Sequence, residues 1–276
     1  MHNGKQSHGC KCRNCSAQLV TQGKSADTYC RLCGTPALNA QNYENTAIPE
    51  KVIEFEIDKA KARRLFTKYL SARPLVCGGF MQKVKSGNFS AVYMPVCVTD
   101  TEFGTDITTA YGDTHIDTSA CNIVTNLSSF ADEVLFSLLS PYDFEKQTDY
   151  TEEHAEIPYE FFSEETSQER IKEKIDEIKV QAVSEGKKYI PHEGYLKTDS
   201  CTHKAVSLNS RYVLVPVWIL SCNTKSFSGR IFMNGQSGKI IGNPPPSIAR
   251  ISGIFGAIAA ACTLVGEIIY MAVNRL

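Results

Sequence analysis

The chain lacks the features that most directly indicate a function. Its 276 residues carry a net charge of −1, so the overall charge gives no sign of a nucleic-acid partner. Neither an H-E-x-x-H nor a G-x-S-x-G motif is present. Residues 1–20 are polar and contain no apolar run of the kind found in a signal peptide. We therefore expect a protein of the reducing cytosol, in which cysteines stay free of disulfides.

A catalytic centre is also missing from the sequence patterns. The six histidines share no spacing with a serine, cysteine or carboxylate partner, so no catalysis is predicted. Enzymatic activity is the second alternative function. It would require His192 or His203 beside a carboxylate in a deep polar pocket. The run 235–239 ends in Gly-Lys, but Met233 stands where a phosphate-binding loop needs glycine. We predict a hairpin turn there.

Four cysteines near the N-terminus follow the spacing C-x2-C-x14-C-x2-C, and they are Cys12, Cys15, Cys30 and Cys33. Two thiolates three residues apart can bind one metal ion from a tight turn, and a second pair in a facing turn completes a tetrahedron. The spacing predicts a zinc ribbon in which Zn²⁺ is structural. Cys10 is a fifth candidate ligand, but the C-x-x-C spacing favours Cys12.

Basic residues surround the predicted ribbon. The ones that could contact nucleic acid or another partner are Lys11, Arg13, Lys24 and Arg31. Zinc ribbons often bind nucleic acid through basic and aromatic side chains, and Tyr29 is the aromatic residue beside these basic residues. Nucleic-acid binding through this basic face is therefore the first alternative function, and it predicts an affinity that falls with salt.

Residues 46–243 have the pattern of an α+β domain with a mixed or antiparallel sheet. Residues 1–45 are assigned to the ribbon and a polar linker at 39–45. The predicted helices are 58–72, 129–139 (capped by Ser129) and 163–184 (opened by Ser163 or Thr166). The predicted strands are 52–57, 76–84, 89–98, 115–125, 204–209, 211–222, 226–234 and 238–242. The segment 93–98 resembles 214–219, and either two related halves of the domain or chance would explain this resemblance. Each segment contains a proline, which is expected at a bent edge strand.

A proline-rich linker at 244–250 precedes residues 251–273, a run of 23 residues whose one charge is Glu267. This length predicts a helix that crosses a bilayer. Gly253, Ala257 and Ala261 form a row of small residues on one face, which favours an oligomer held by helix contacts. A helix buried in protein is the alternative.

Flanking bases predict the orientation of this helix. The bases before it are Lys225, Arg230, Lys239 and Arg250, whereas Arg275 alone follows it. Because bases accumulate on the cytoplasmic side, we expect a single-pass protein of the cell membrane with its N-terminal bulk in the cytoplasm.

Four strings in the chain stand out: 93–96 (Y-M-P-V), 140–143 (S-P-Y-D), 213–219 (V-L-V-P-V-W-I) and 233–242 (M-N-G-Q-S-G-K-I-I-G), of which V-P-V-W and M-N-G-Q-x-G-K are the specific parts. With the four cysteines, they resemble a family of bacterial membrane-associated zinc-ribbon proteins, common in Gram-positive genomes and of unknown function. Some members are labelled as replication-restart helicases, but this chain has no nucleotide-binding loop. Two departures stand out. Ser16 replaces the glycine usual after the first cysteine pair, and relatives carry a second apolar span.

Together these observations predict a ribbon and an α+β domain that face the cytoplasm and are held to the membrane by a C-terminal helix. A closed metal site without a catalytic constellation favours a binding or adaptor module for a protein partner that the sequence does not identify.

Overall fold

A large mixed sheet organises the part of the chain that the computed structural model describes, which is residues 5–21, 29–190, 198, 200–223, 228–242 and 244–274. Its strands are β1 (Lys5–Cys12), β2 (Gln18–Val20), β3 (Leu38–Thr46), β4 (Lys51–Ile53), β5 (Ser90–Thr109), β6 (Gly112–Asn126), β7 (Gln147–Asp149), β8 (Tyr159–Glu160), β9 (Ser200–Asn223), β10 (Ser228–Asn234) and β11 (Ile240–Ile241). The main path runs β11-β10-β9-β5-β8-β2-β1-β3, with β6 beside β5 and with β4 beside β7 and β9. The expected α+β class is confirmed, with a mixed sheet.

Five α-helices and three short 3-10 helices accompany the sheet in these residues. The α-helices are α1 (Lys59–Ser71), α2 (Gly78–Lys85), α3 (Glu133–Leu139), α4 (Glu164–Gly186) and α5 (Ile248–Val273). The 3-10 helices are Phe144–Lys146, Glu152–Glu156 and Lys187–Tyr189. The helices predicted at 58–72 and 163–184 are confirmed, with Asp58 and Ser163 as their N-caps.

The expected cap of α3 is wrong. Asp132 caps this helix, and its side chain accepts a hydrogen bond from the Leu135 N–H at 2.7 Å. Ser129 is drawn away from the helix because its N–H and hydroxyl both donate to the buried carboxylate of Glu160. A long-range partner therefore moves the start of the helix by three residues relative to the prediction.

The strand expected at 76–84 is also wrong, because this segment contains α2. Phe80 and Val84 are fully buried at a spacing of four residues, which places both on one helical face. The polar segment 39–45, expected to be a linker, lies in β3. This strand pairs with β1 from Leu38 to Thr46 and buries Tyr43, whose hydroxyl donates to the Cys10 carbonyl at 2.9 Å.

β5 and β9 form the centre of the sheet as a long antiparallel pair. Pro95 and Pro216 therefore lie in central strands and not at an edge. The Pro95 carbonyl accepts from the Leu127 N–H and the Pro216 carbonyl from the Gly235 N–H, each one residue beyond the end of the outer strand. A residue's N–H and C=O point to the same side of a strand, and each proline lacks the N–H. On that side the outer strand has already ended, so no hydrogen bond of the sheet is lost.

The two proline segments are related by a local two-fold axis. Met94 pairs with Val215, Tyr93 pairs with Pro216 and Pro95 pairs with Leu214, so equivalent positions exchange across the strand pair. β6 flanks β5 and β10 flanks β9 as antiparallel outer strands. The two related halves and the domain boundaries at 45, 46 and 243 stay predictions.

The sheet separates two apolar layers. On one face, Val92, Met94, Val215 and Val217 pack with α3 and with the four-cysteine segment. On the other face, Trp218 and neighbouring residues of β5 and β9 pack against α1, α2 and α4. The cysteines are therefore positioned by the central strands.

α5 makes no such contact along its apolar length. The most apolar 18-residue window of this helix has a mean hydropathy of 1.9, and none of that window is buried. Ser247 is its N-cap, so the helix begins before the expected residue 251. It is the one helix among the described residues that is long and apolar enough to cross a membrane.

Candidate metal centre

Two short turns present the four cysteines, and their backbones are alike. In the first knuckle, residues 12–17, the Ser16 N–H donates to the Cys12 carbonyl at 3.0 Å. In the second knuckle, residues 30–35, the Gly34 N–H donates to the Cys30 carbonyl at 2.8 Å. Ser16 and Gly34 have φ values of 59° and 71°, so both adopt the left-handed conformation that the turn requires. The departure at Ser16 therefore places serine in a glycine conformation.

The four sulfur atoms form one cluster. All lie within 4.8 Å of one another, and the Cys12–Cys33 and Cys15–Cys30 sulfurs are each 3.6 Å apart. A tetrahedral ion with metal–sulfur bonds of about 2.3 Å holds its sulfurs about 3.8 Å apart. The observed separations fit such an ion, and the four cysteines can fill all four of its positions.

Hydrogen bonds inside the cluster favour ionisation of one thiol. The Cys30 thiol donates to Cys15 Sγ and, with the Ala17 N–H, lowers the pKa of Cys15 to about 5. Cys30 keeps the proton that this pair shares, so the pKa of Cys30 is raised, and burial adds to the effect. A bound metal ion would replace shared protons of this kind, because the thiolate is the form that binds.

Thr35 is part of the centre and was not identified from the sequence. Its hydroxyl lies 2.9 Å from Cys33 Sγ and 3.9 Å from Cys12 Sγ. A hydroxyl that donates to a thiolate orients it and stabilises its charge, as second-shell groups do at metal sites. The signal available in the sequence was its place in the string C-R-L-C-G-T.

The centre is built into the core of the fold. Cys12 and Cys30 are each 1% exposed, Cys33 is buried and Cys15 is half-buried. β2, which follows the first knuckle, pairs with β8 through Leu19 opposite Glu160. A metal ion held here would therefore also stabilise the packing of one face of the sheet.

The bases predicted to contact a partner do not all lie together. Lys11 is exposed on β1 and Arg13 is exposed on the first knuckle. Arg31 lines a polar cleft of about 580 Å³ between the second knuckle and the α2–β5 turn, together with Lys59 and Lys83. Lys24 lies outside the described residues. Lys59 and Lys83 were not identified from the sequence, although residues 59–99 contain no acidic side chain.

The strings that carry the family resemblance meet in a buried junction. Asn234 donates to the carbonyls of Leu139 and Pro141 at 3.0 and 3.1 Å. Its side-chain oxygen accepts from the backbone N–H groups of Gln236 and Ser237. The run 235–239 is therefore a turn held by hydrogen bonds between β10 and β11, which agrees with the predicted hairpin.

A second large cavity, about 590 Å³, lies between α4 and the strands β5 and β9. Its lining is mainly apolar and includes Phe103, Ile171, Leu208 and His203. His203 bonds to the Thr105 hydroxyl at 3.0 Å, and no carboxylate lines the cavity among the described residues. His192 lies outside those residues. The pocket that the enzyme alternative requires is thus not formed by His203.

Comparison with known proteins gives a distant bacterial homologue. The chain is similar to "Uncharacterized protein YdjG" of Bacillus subtilis (strain 168), with 28% identity over 257 residues that cover 83% of this chain and 73% of that protein. No protein-family model matches the chain, and no solved structure matches it. The name of this relative assigns no activity, so the function is argued from the centre and from α5.

Proposed function

We propose that this chain is a membrane-anchored zinc-ribbon protein whose cytoplasmic head binds a partner and performs no catalysis. The observation that carries the proposal is a closed cluster of four thiols on the same chain as a long, exposed apolar helix. The role of binding or adaptor module rests on the chemistry of such a centre, which leaves no open position for a substrate.

Zinc is the metal that suits this donor set best. Four thiolates at tetrahedral spacing select Zn²⁺ or iron, and both fit soft sulfur ligands. Zinc has no redox chemistry and commonly serves as a structural ion in ribbons of this spacing. When bound, the ion would hold the two knuckles together, with Cys12 and Cys15 from one and Cys30 and Cys33 from the other.

α5 supports the membrane anchor. Its 26 residues extend about 39 Å as a helix, and a bilayer core is about 30 Å thick. An unburied apolar helix of this length costs free energy in water, and insertion into lipid removes that cost. Arg230 and Lys239 precede α5 and Arg250 lies in its first turn, which supports the cytoplasmic placement of the head. Lys225 and Arg275 lie outside the described residues.

Metal analysis of the full chain purified in detergent micelles tests the first half of the proposal. We expect about one zinc ion per chain, lost in the variant Cys30→Ser because three thiolates leave the tetrahedron open. Less than about half an equivalent of zinc would contradict the structural role, and bound iron in its place would contradict the identity of the metal.

Carbonate extraction of membranes tests the anchor. The full chain should stay in the membrane fraction, whereas a chain that ends at Pro246 should be released. Equal release of the two chains would contradict the anchor and would leave the metal centre unaffected.

A further inference from the structure

The helical hairpin formed by α1 and α2 is strongly basic. Residues 59–99 hold eight bases and no acid, and the bases are Lys59, Lys61, Arg63, Arg64, Lys68, Arg73, Lys83 and Lys85. Seven of them are exposed and Lys83 is half-buried. Within the described chain, none of the eight forms an ion pair. We call residues 59–85 the basic hairpin.

The tip of the basic hairpin contacts the start of α5. The Ser247 N–H donates to the Leu75 carbonyl at 2.7 Å. The Arg250 guanidinium, in the first turn of α5, donates to the carbonyls of Pro74 and Val76 at 2.7 and 3.1 Å. The residues that connect α1 to α2 are therefore held where the apolar helix begins.

The surface at this tip combines apolar and cationic groups. Leu75 is 41% exposed, and it borders a shallow depression of about 400 Å³ that Pro74, Val76, Pro244 and Pro246 also line. Arg73 lies beside the depression, with its guanidinium 3.7 Å from the ring centre of Tyr69. Exposed apolar side chains flanked by arginines are the composition that binds at the boundary between headgroups and acyl chains.

We propose that the basic hairpin docks on anionic lipid headgroups at the point where α5 enters the bilayer, with Leu75 at the interface. This inference rests on the proposed membrane anchor. Anionic headgroups attract bases within about 10 Å of the surface, and each such base contributes about a fivefold factor in affinity. Because α5 anchors the chain and keeps Arg73 and Arg250 at the bilayer surface, the hairpin contacts the lipid without a further free-energy cost of bringing it to the membrane. A nucleic acid would have to share this surface with the bilayer.

Lysine reactivity in the full chain tests the docking. The protein is reconstituted in discs of phosphatidylcholine, alone or with about 30% phosphatidylglycerol. Acetylation rates are then measured by mass spectrometry at Lys61 and Lys68, with Lys172 and Lys174 of α4 as internal references. In anionic discs the rates at the hairpin should fall at least about threefold relative to the references, and salt of about 0.5 M should abolish the difference.

Charge variants separate docking from a general effect of anionic lipid. Arg64→Gln with Arg73→Gln should reduce the protection of Lys68, while both lysine reporters remain. The matched control, Lys172→Gln with Lys188→Gln, removes the same charge from α4 and the turn after it. Lys174 then serves as the internal reference, and the protection should be unchanged. Loss of protection in both double variants would overturn the docking.

Three further outcomes overturn the docking and identify what fails. Carbonate-resistant protein with equal rates in both kinds of disc refutes the docking and retains the anchor. Protection in neutral discs that requires a duplex oligonucleotide assigns the basic hairpin to nucleic acid. Release by carbonate refutes the anchor and the docking together.

Discussion

Replacement of Ser16 by glycine is expected to strengthen the metal centre. Ser16 closes the first knuckle with a φ of 59°, and Gly34 closes the second with a φ of 71°. The Ser16 side chain is exposed and makes no hydrogen bond in the part of the chain described. Serine therefore bears the steric cost of the left-handed conformation with no compensating contact.

The size of the gain follows from two opposing effects. A non-glycine residue in the left-handed region costs about 1–2 kcal/mol. Glycine at this position destabilises the folded state by about 0.4–1 kcal/mol because it has more conformational freedom in the unfolded chain. The net stabilisation of the folded knuckle by Ser16→Gly is then about 0.5–1 kcal/mol.

Competition with a chromophoric chelator measures this gain in the full chain. Because metal binding and folding of a knuckle are coupled, about 0.5–1 kcal/mol corresponds to zinc affinity about two- to fivefold higher. The matched variant is Gly34→Ser, which should lower the affinity, since its Cβ would also lie 3.3 Å from the Ser221 hydroxyl oxygen. An affinity of Ser16→Gly equal to or below that of the parent chain would refute the reasoning.

Two further predictions concern groups outside the metal centre. Glu160 is 1% exposed and accepts hydrogen bonds from the Ser128 hydroxyl and the Ser129 N–H. Glu160→Gln places an amide N–H opposite these donors, so it should lower the free energy of unfolding by about 1–3 kcal/mol. Denaturant titration measures this loss, and an unchanged midpoint would argue against it. Hydrogen bonds from His115 to two aspartates, among them Asp106 at 2.5 Å, raise its pKa. The stability from protonated His115 is therefore present below the ordinary histidine pKa and is lost as pH rises through the raised value. Asp106→Asn should lower the His115 pKa in an NMR titration, and an unchanged pKa would contradict this.

Local patterns in the sequence predicted the elements whose determinants are themselves local. The helix capped by Asp58 needs only a cap and an apolar stripe, and both are visible in one segment. The four-cysteine spacing is likewise a local signal, because each C-x-x-C pair predicts the tight turn that presents its two thiols. The zinc assignment itself stays a prediction, because the thiol cluster fits more than one metal ion.

Features that depend on distant partners were missed. Ser129 looks like a helix cap until Glu160, on another strand, takes its donors. Pro95 looks like an edge residue until the neighbouring strand is seen to end beside it. The basic hairpin was visible as a run without acids, but only the contact between Leu75 and Ser247 places it beside the apolar helix. In each case the deciding residue is far away in the chain.

The buried junction explains why the most specific strings need not mark an active site. The Trp218 indole N–H donates to the Ile57 carbonyl at 2.8 Å, directly before α1. The Ile57 N–H in turn donates to the Gly235 carbonyl, and the Tyr69 hydroxyl donates to the Gly242 carbonyl at 2.8 Å. These bonds connect the central strands, the basic hairpin and the segment that leads into α5. A buried polar group left unpaired costs about 1–3 kcal/mol, so such residues are constrained by the fold itself. They fix the segment that leads into α5 against the central strands and the basic hairpin, and the recognition that we propose is left to the surfaces around them.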